Sequence, residues 1–208
     1  MSELQRTETW VQSRLGKVTA SRMADVMSKG RGNAPSITRQ RYLVQLALER
    51  MTGCVADGYT NAAMAWGTEQ EPHARAMYAF VTDNEVQEVG FVDHPSVAMS
   101  GASPDGLIGH DGLVEIKCPE SHTHWARLRG EAIASNYIDQ IAWQLECTGR
   151  AWCDFVSFDP RFPPEQQIHI QRVHADHDRQ AELRVGVEAF LADLEGELNA
   201  VLKQGSAA

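Results

Sequence analysis

Ser103-Pro104-Asp105-Gly106, followed across Asp111-Gly112 by Glu115-Ile116-Lys117-Cys118, is the stretch that decides the fold. Asp-Gly is a tight-turn dipeptide, and the short, largely apolar runs beside it, Gly106 to Gly109 and Leu113 to Cys118, read as the strands of a β-hairpin. Side chains alternate along a strand, so Glu115 and Lys117 share one face while Val114, Ile116 and Cys118 point into the core. Asp105 stands at the far end of the partner strand, within reach of both. Two carboxylates and an amine brought together this way repel or stay solvated unless a hard cation such as Mg²⁺ or Mn²⁺ joins them. Each half also has an ordinary reading, Ser-Pro-Asp-Gly as a turn and Glu-x-Lys as a surface ion pair. Their joint occurrence, with an apolar residue between Glu115 and Lys117, favours a metal site that activates water against a phosphodiester.

The chain around this hairpin has 208 residues, 43% hydrophobic and 23% charged, enough for one well-buried domain. Met1-Ser2-Glu3-Leu4-Gln5-Arg6 lacks the apolar core of a signal peptide. No run approaches the roughly 18 to 20 apolar residues of a membrane span, so the expectation is a soluble, cytoplasmic protein. Cys54, Cys118, Cys147 and Cys153 form no CxxC pair and are expected as reduced core thiols, at spacings unsuited to an iron–sulfur cluster. A net charge of −9 runs against phosphate binding until its distribution is considered. Residues 1–50 hold nine Lys/Arg against four Asp/Glu, and residues 51–208 hold ten against twenty-four. Arg14, Lys17, Arg22, Lys29 and Arg31 are a candidate phosphate-facing patch, or the solvated face of a helix.

No internal repeat or interdomain linker is evident, and 1–208 reads as a single domain with a basic region over 1–50. A helix or turn opens at Trp10 to Gly16, and Thr19-Ala20-Ser21 offers capping hydroxyls before Arg22 to Ser28. Lys29 to Pro35 reads as a flexible loop. Helical spacing predicts a helix over Ser36 to Met51 with Tyr42, Leu43, Leu46, Ala47 and Met51 inward, closed by Gly53. A second covers Thr68 to Val81 with Met77, Phe80 and Val81 buried, and Thr68-Glu69-Gln70-Glu71 as a capping box. Strands are expected near Val86 to Val92 and Val97 to Met99, and at Trp152 to Phe158 and Gln167 to Val173. Helices are expected at Ser121 to Arg129, at Asn136 to Thr148, and over about 176–203, the last docking its apolar stripe on the core. The order predicts an α/β fold with a central mixed sheet flanked by helices.

Trp66-Gly67 with Glu71, then Ser103-Pro104-Asp105-Gly106, Glu115-Ile116-Lys117-Cys118-Pro119 and Tyr137-Ile138-Asp139-Gln140, resembles the phage lambda exonuclease and YqaJ-type recombination nucleases of the PD-(D/E)xK superfamily, from about Trp10 to Asp159. The resemblance implies a restriction-endonuclease-like core. It also implies two Mg²⁺ ions, replaceable by Mn²⁺, on Glu71, Asp105, Glu115 and the carbonyl of Ile116, with Lys117 beside the attacking water. Glu71 then serves as a metal ligand instead of a helix cap. A 5′-phosphate pocket falls to Arg14, Ser21, Ser103 and Gln140, with Gln140 alternatively steering water. Strand separation or end-base stacking falls to Trp10, Arg31 and Met64. The implied activity is processive 5′→3′ degradation of duplex DNA from phosphorylated ends to mononucleotides and a 3′ overhang. The implied setting is a phage- or prophage-encoded homotrimer in a bacterial cytoplasm, working with a single-strand annealing protein. A restriction-like endonuclease of the same fold, or a non-catalytic DNA-binding scaffold, are the alternatives.

Overall fold

The computed structural model describes residues 5–32, 34, 36–55 and 62–205, so Asn33 and Pro35 of the expected loop and Met1 to Leu4 lie outside the described residues. The chain opens with α1 (Glu8–Arg14), β1 (Val18–Thr19), a 3₁₀ turn (Ala20–Arg22), α2 (Met23–Val26), α3 (Ile37–Thr52) and α4 (Ala62–Thr82). Five short strands follow: β2 (Val86–Gln87), β3 (Val92–Asp93), β4 (Ser100–Ala102), β5 (Gly106–Ile108) and β6 (Gly112–Lys117). The chain then runs through α5 (Ser121–Leu128), α6 (Ser135–Thr148), β7 (Trp152–Phe158), β8 (Ile168–His174) and α7 (His177–Gly205). The strands form two sheets where the sequence suggests one: β2-β5-β6-β7-β8, antiparallel except for the parallel β6–β7 pair, and a small β1-β4-β3 sheet.

The hairpin turns differently from the dipeptide rule. Ile108 pairs with Gly112, so the loop is Gly109 to Asp111 with Gly109 at φ +50°, and Gly112 already belongs to β6. A Cβ at Gly112 would run into the Trp152 ring, so this glycine serves strand packing and leaves the turn to Gly109.

Both faces of the large sheet are covered. Ala74 and Tyr78 of α4 pack on Val114, Ile116, Val156 and Phe158; Ile141 and Leu145 of α6 pack on Leu113, Cys153 and Phe155. The opposite side of α6, with Ala142, Trp143 and Cys147, joins α2, α3 and α7 in the largest cluster. A helix buried on two sides carries few residues to solvent, which is why polar Gln140 and Gln144 lie inside the protein. Tyr78 donates to Asp154 at 2.8 Å, and Arg172 grips the same carboxylate through two nitrogens, so α4 is tied by a polar bond as well as by packing.

Several expectations are corrected. Helix α4 starts before Thr68, so Thr68 to Glu71 lies inside the helix and caps nothing. Its buried face is Gln70, Ala74 and Tyr78, while Phe80 is 84% exposed and Val81 also faces solvent; the true stripe is shifted by a few residues because the helix is longer than the apolar run suggested. Met51 is exposed and Glu49 takes the inward position on α3, accepting the Gly16 N–H. Thr19 makes no side-chain cap, whereas Ser36 caps α3 by accepting from Arg39 N–H. Cys54 is exposed, unlike buried Cys147 and Cys153. Among the described residues no helix is long and apolar enough to cross a membrane.

Helix α7 docks through Leu183, Val187, Phe190 and Leu194. Phe190→Ala should therefore cost about 3–5 kcal/mol in urea unfolding, and Phe80→Ala less than about 0.5 kcal/mol. Equal losses would contradict this assignment of core and surface.

Candidate active site

A cleft of about 330 Å³ opens where α1, the 3₁₀ turn, α4, β6 and α6 meet. β6 emerges from the sheet core at this point, so its alternation delivers Glu115 and Lys117 to the cleft while Ile116 packs beneath α4. Asp105, just before β5, closes the hairpin end: its Oδ2 accepts the Ile116 N–H at 2.7 Å. That bond fixes the Asp105 carboxylate over the backbone between Glu115 and Lys117.

Glu115 is 1% exposed and fully engaged. Lys117 Nζ and Gln140 Nε2 reach its Oε1 at 2.5 and 2.6 Å, and Gln144 Nε2 reaches its Oε2 at 2.7 Å. Gln144 is a contact that sequence reading missed, although its spacing of four from Gln140 puts both amides on one helical face. From α4, Glu71 accepts from Arg6 at 2.5 Å and from Arg75 at 2.7 Å.

Burial first, then the nearby Glu115 carboxylate, holds the Asp105 carboxyl well above the usual range, against the opposing pull of Lys117 and the Ile116 N–H. Burial disfavours the Lys117 ammonium, but Glu115 and Asp105 outweigh it and hold the amine above the ordinary lysine value. Burial, with Glu71 and Asp105 nearby, pushes the Cys118 thiol up to about 12, so it is no nucleophile.

Among the described residues no three His, Cys, Asp or Glu side chains are already arranged around a metal position; both Glu71 oxygens are held by arginines. The donor chemistry nonetheless fits a hard divalent cation. Glu71, Asp105 and Glu115 line one cleft with Ile116, and all offer oxygen, the donor that such a cation takes.

The other end of the cleft holds Arg14, Ser21 and Ser103. Arg14 is half-buried, stacks 4.1 Å from the Trp10 ring centre and makes no ion pair among the described residues; burial lowers its pKa. Trp10 Nε1 donates to Ser103 Oγ at 3.0 Å, locking this wall. Met64, which the sequence leaves open as core, is 53% exposed at the lip. Of the basic patch, Lys17 pairs with Asp93 at 2.6 Å and Arg22 with Asp25. Lys29 and Arg31 are not among the residues that line this cleft.

The sequence signature of the YqaJ-like viral recombinase domain matches residues 9–151. Among solved structures, LHK-Exo, an alkaline exonuclease from Laribacter hongkongensis, is 47% identical to this chain at a TM-score of 0.90, with 97% of this chain and 99% of that one covered. One of its structures is a complex with dAMP. A phage related exonuclease from Haemophilus somnus 129PT shares the fold at 12% identity and a TM-score of 0.69, covering 89% of this chain and 96% of its own. A search of curated proteins gave no match.

Two substitutions probe the cluster. Asp105→Asn keeps an acceptor for Ile116 and removes a charge, so in chelator it should raise stability by on the order of 1 kcal/mol, and with divalent metal present it should abolish cleavage. Because the folded-state value lies above the unfolded one, the parent's penalty is absent in acid, grows as pH rises from the unfolded value to the folded one, and is full above it. The gap should therefore narrow at low pH, and a lower melting point for the variant at neutral pH would contradict the electrostatic account. Gln144→Leu leaves Glu115 Oε2 without its donor and should lower both stability, by about 1–3 kcal/mol, and nuclease turnover; unchanged turnover would remove Gln144 from the site.

Proposed function

We propose, from the premise that the chain belongs to the family of YqaJ-like viral recombinase domains and is a nuclease, that it degrades one strand of duplex DNA 5′→3′ from a 5′-phosphorylated end. The observation that carries this reading is a cleft with two different ends. One end gathers Asp105, Glu115 and Lys117; the other holds the half-buried Arg14 guanidinium, which makes no ion pair among the described residues. An enzyme that cuts internally has no use for the second; an enzyme that measures one nucleotide from a phosphorylated terminus requires it. A planar guanidinium with neutral hydroxyls suits a terminal phosphate dianion. The dAMP bound by LHK-Exo is a nucleoside monophosphate, the form of product that such cutting releases.

In this reading Glu71, Asp105, Glu115 and the Ile116 carbonyl would hold two divalent ions, Mg²⁺ with Mn²⁺ as a substitute. Such ions, when bound, supply Lewis acidity, a lowered pKa for water and charge stabilisation at the leaving oxygen. The chain's own groups do the rest. Arg14, Ser21 and Ser103 hold the terminal phosphate, and Trp10, braced by Ser103, offers a face for the end base. Lys117 donates to and orients the attacking water and steadies negative charge on the scissile phosphate. Gln140 and Gln144 keep Glu115 in place, and Gln140 also stands close enough to steer water or phosphate. Met64 at the lip is the wedge that parts the strands, while Arg31 takes no part in the cleft of one chain.

The finer setting belongs to the same proposal. Residues 1–208 act as one nuclease domain. The exposed apolar face of α3, with Ile37, Val44, Leu48 and Met51, supports assembly, which we read as a homotrimer that retains its DNA between cuts. The viral recombinase family and a phage related relative support a phage or prophage origin, action in the host cytoplasm, and a single-strand annealing protein that takes up the 3′ overhang.

Digestion of end-labelled linear duplex tests the reading. A 5′-phosphate end should be cut at least tenfold faster than a 5′-hydroxyl end, to mononucleotides, with no cutting in chelator and none of circular duplex. Arg14→Ala should erase the preference for phosphate. Nicking of circular DNA, or equal rates on the two ends, would replace the exonuclease reading with an endonuclease.

A further inference from the structure

Beyond Lys117 the cleft does not end. A second groove, lined by Trp66, Tyr137 and Arg161, shares Met64, Lys117 and Cys118 with it. On the opposite side, the pocket beside Arg14 shares Trp10, Arg14, Thr19 and Ser21 with the same cleft. The surface thus carries a continuous furrow whose order is Arg14, the carboxylates, Lys117 and then Arg161.

Arg161 is built into this groove and does not hang over it. Asp159, 0% exposed, accepts from Arg161 Nε at 2.7 Å and Nη2 at 2.8 Å, and its Oδ2 also accepts from Ser121 at 2.7 Å. The guanidinium lies 4.8 Å from the Trp66 ring centre. Held by a buried carboxylate on one edge and an aromatic face beneath, it keeps Nη1 without a hydrogen-bond partner among the described residues, with the side chain 50% exposed. Trp66, whose indole N–H finds no acceptor among the described residues, forms the adjoining wall. Lys117 adds positive charge at the near end. Glu120 is the only other carboxylate among the lining residues, and its Oε2 faces His122 at 3.4 Å.

A nucleic-acid strand has a direction, and the proposed function fixes it in the furrow. With the terminal 5′-phosphate at Arg14 and the scissile phosphate at the carboxylates, the strand beyond the cut leaves past Lys117. We infer that this groove binds the next phosphodiester on the 3′ side of the scissile bond, with Arg161 as its ligand. Arg161 stands outside the residues matched by the family signature, which end at 151, and its role is to seat the strand, so that the scissile phosphate arrives in register. A phosphate contact of this kind is independent of base sequence.

The inference rests on the exonuclease reading, and its test separates the two. Release of the first nucleotide is measured from a 5′-phosphorylated duplex in which the second internucleotide phosphate of the degraded strand is an uncharged methylphosphonate. The parent enzyme should lose about tenfold in kcat/KM, chiefly through KM, as expected for one partly exposed charge-assisted contact. Arg161→Ala on unmodified DNA should lose a similar factor, and the variant on modified DNA should lose little more, because both changes delete one contact. Arg161→Lys should recover part of the loss, and the salt dependence of KM should flatten by about one ion in Arg161→Ala. A parent enzyme that prefers phosphorylated ends yet ignores the methylphosphonate overturns this inference alone. Losses that multiply do the same. A parent without preference for phosphorylated ends removes the exonuclease reading and this inference with it. Should Arg161→Ala not fold, the response of the parent and of Arg161→Lys to the methylphosphonate decides.

Discussion

A carboxylate sealed inside a protein dictates what surrounds it. Glu115, at 1% exposure, would be intolerable in an apolar core, since an unpaired buried charge costs several kcal/mol. Its oxygens are instead claimed by Lys117 from its own strand and by Gln140 and Gln144 from α6. This sets the height and rotation of α6 on the sheet more tightly than packing alone: a rotation that buried Ile141 and Leu145 equally well but swung the two amides away would leave the charge bare. The interaction that prepares the site is therefore also the one that registers helix on strand, and the rest of the helical layer follows because α2 and α7 pack on the far side of α6.

The same corner is poor for stability. Asp105 and Glu115 are close enough to raise the Asp105 value, and Glu71 is kept quiet only by two arginines. Replacing this cluster by apolar side chains would suit the fold, as it often does with buried ion pairs. That the chain instead concentrates charge here, around a strand in the middle of the large sheet, is intelligible once a divalent cation is expected to take over part of the balancing. The arginines and Lys117 are then partners of the carboxylates in one state and free cations in another, which suits a cleft that must receive phosphates.

Much of this was legible in the residues. β7 begins and ends where alternation puts it, Gly53 and Gly149 close α3 and α6 in the left-handed region, and the spacing of α7 gives its docked stripe through Leu183, Val187, Phe190 and Leu194, though Val201 at the far end faces solvent. Asp105, Glu115 and Lys117 converge as strand periodicity requires, and Gln140, which only the family resemblance brought to the site, reaches Glu115. What failed has physical causes. An apolar residue can sit on a solvent face, as Phe80 does, and spacing alone does not say which of two overlapping stripes of α4 meets the sheet. The capping box at Thr68 to Glu71 is a local pattern with no knowledge that the helix has already begun. Gln144 escaped notice because a glutamine is read as polar surface until a helix is known to be buried on both sides. The split into two sheets depends on a parallel pairing of two-residue β1 with β4, too short to leave a periodic trace.

Electrostatics reconcile an acidic chain with a polyanionic substrate. A net charge of −9 gives no general attraction to DNA, and several basic residues of the N-terminal fifty are spent in pairs, Lys17 with Asp93, Arg39 with Asp193 and Arg50 with Glu195. What distinguishes Arg14 is that it makes no such pair among the described residues, in a place where burial already disfavours its charge. An unpaired, partly desolvated guanidinium gains more from an incoming dianion than a solvated one, because less water has to be displaced and the local dielectric is lower. Under the proposed function the acidic remainder of the chain would repel duplex sides, while a phosphorylated end that reaches the cleft would meet the Arg14 guanidinium at short range. On that reading, selectivity for ends would follow from where the unpaired cations stand and not from how many the chain carries.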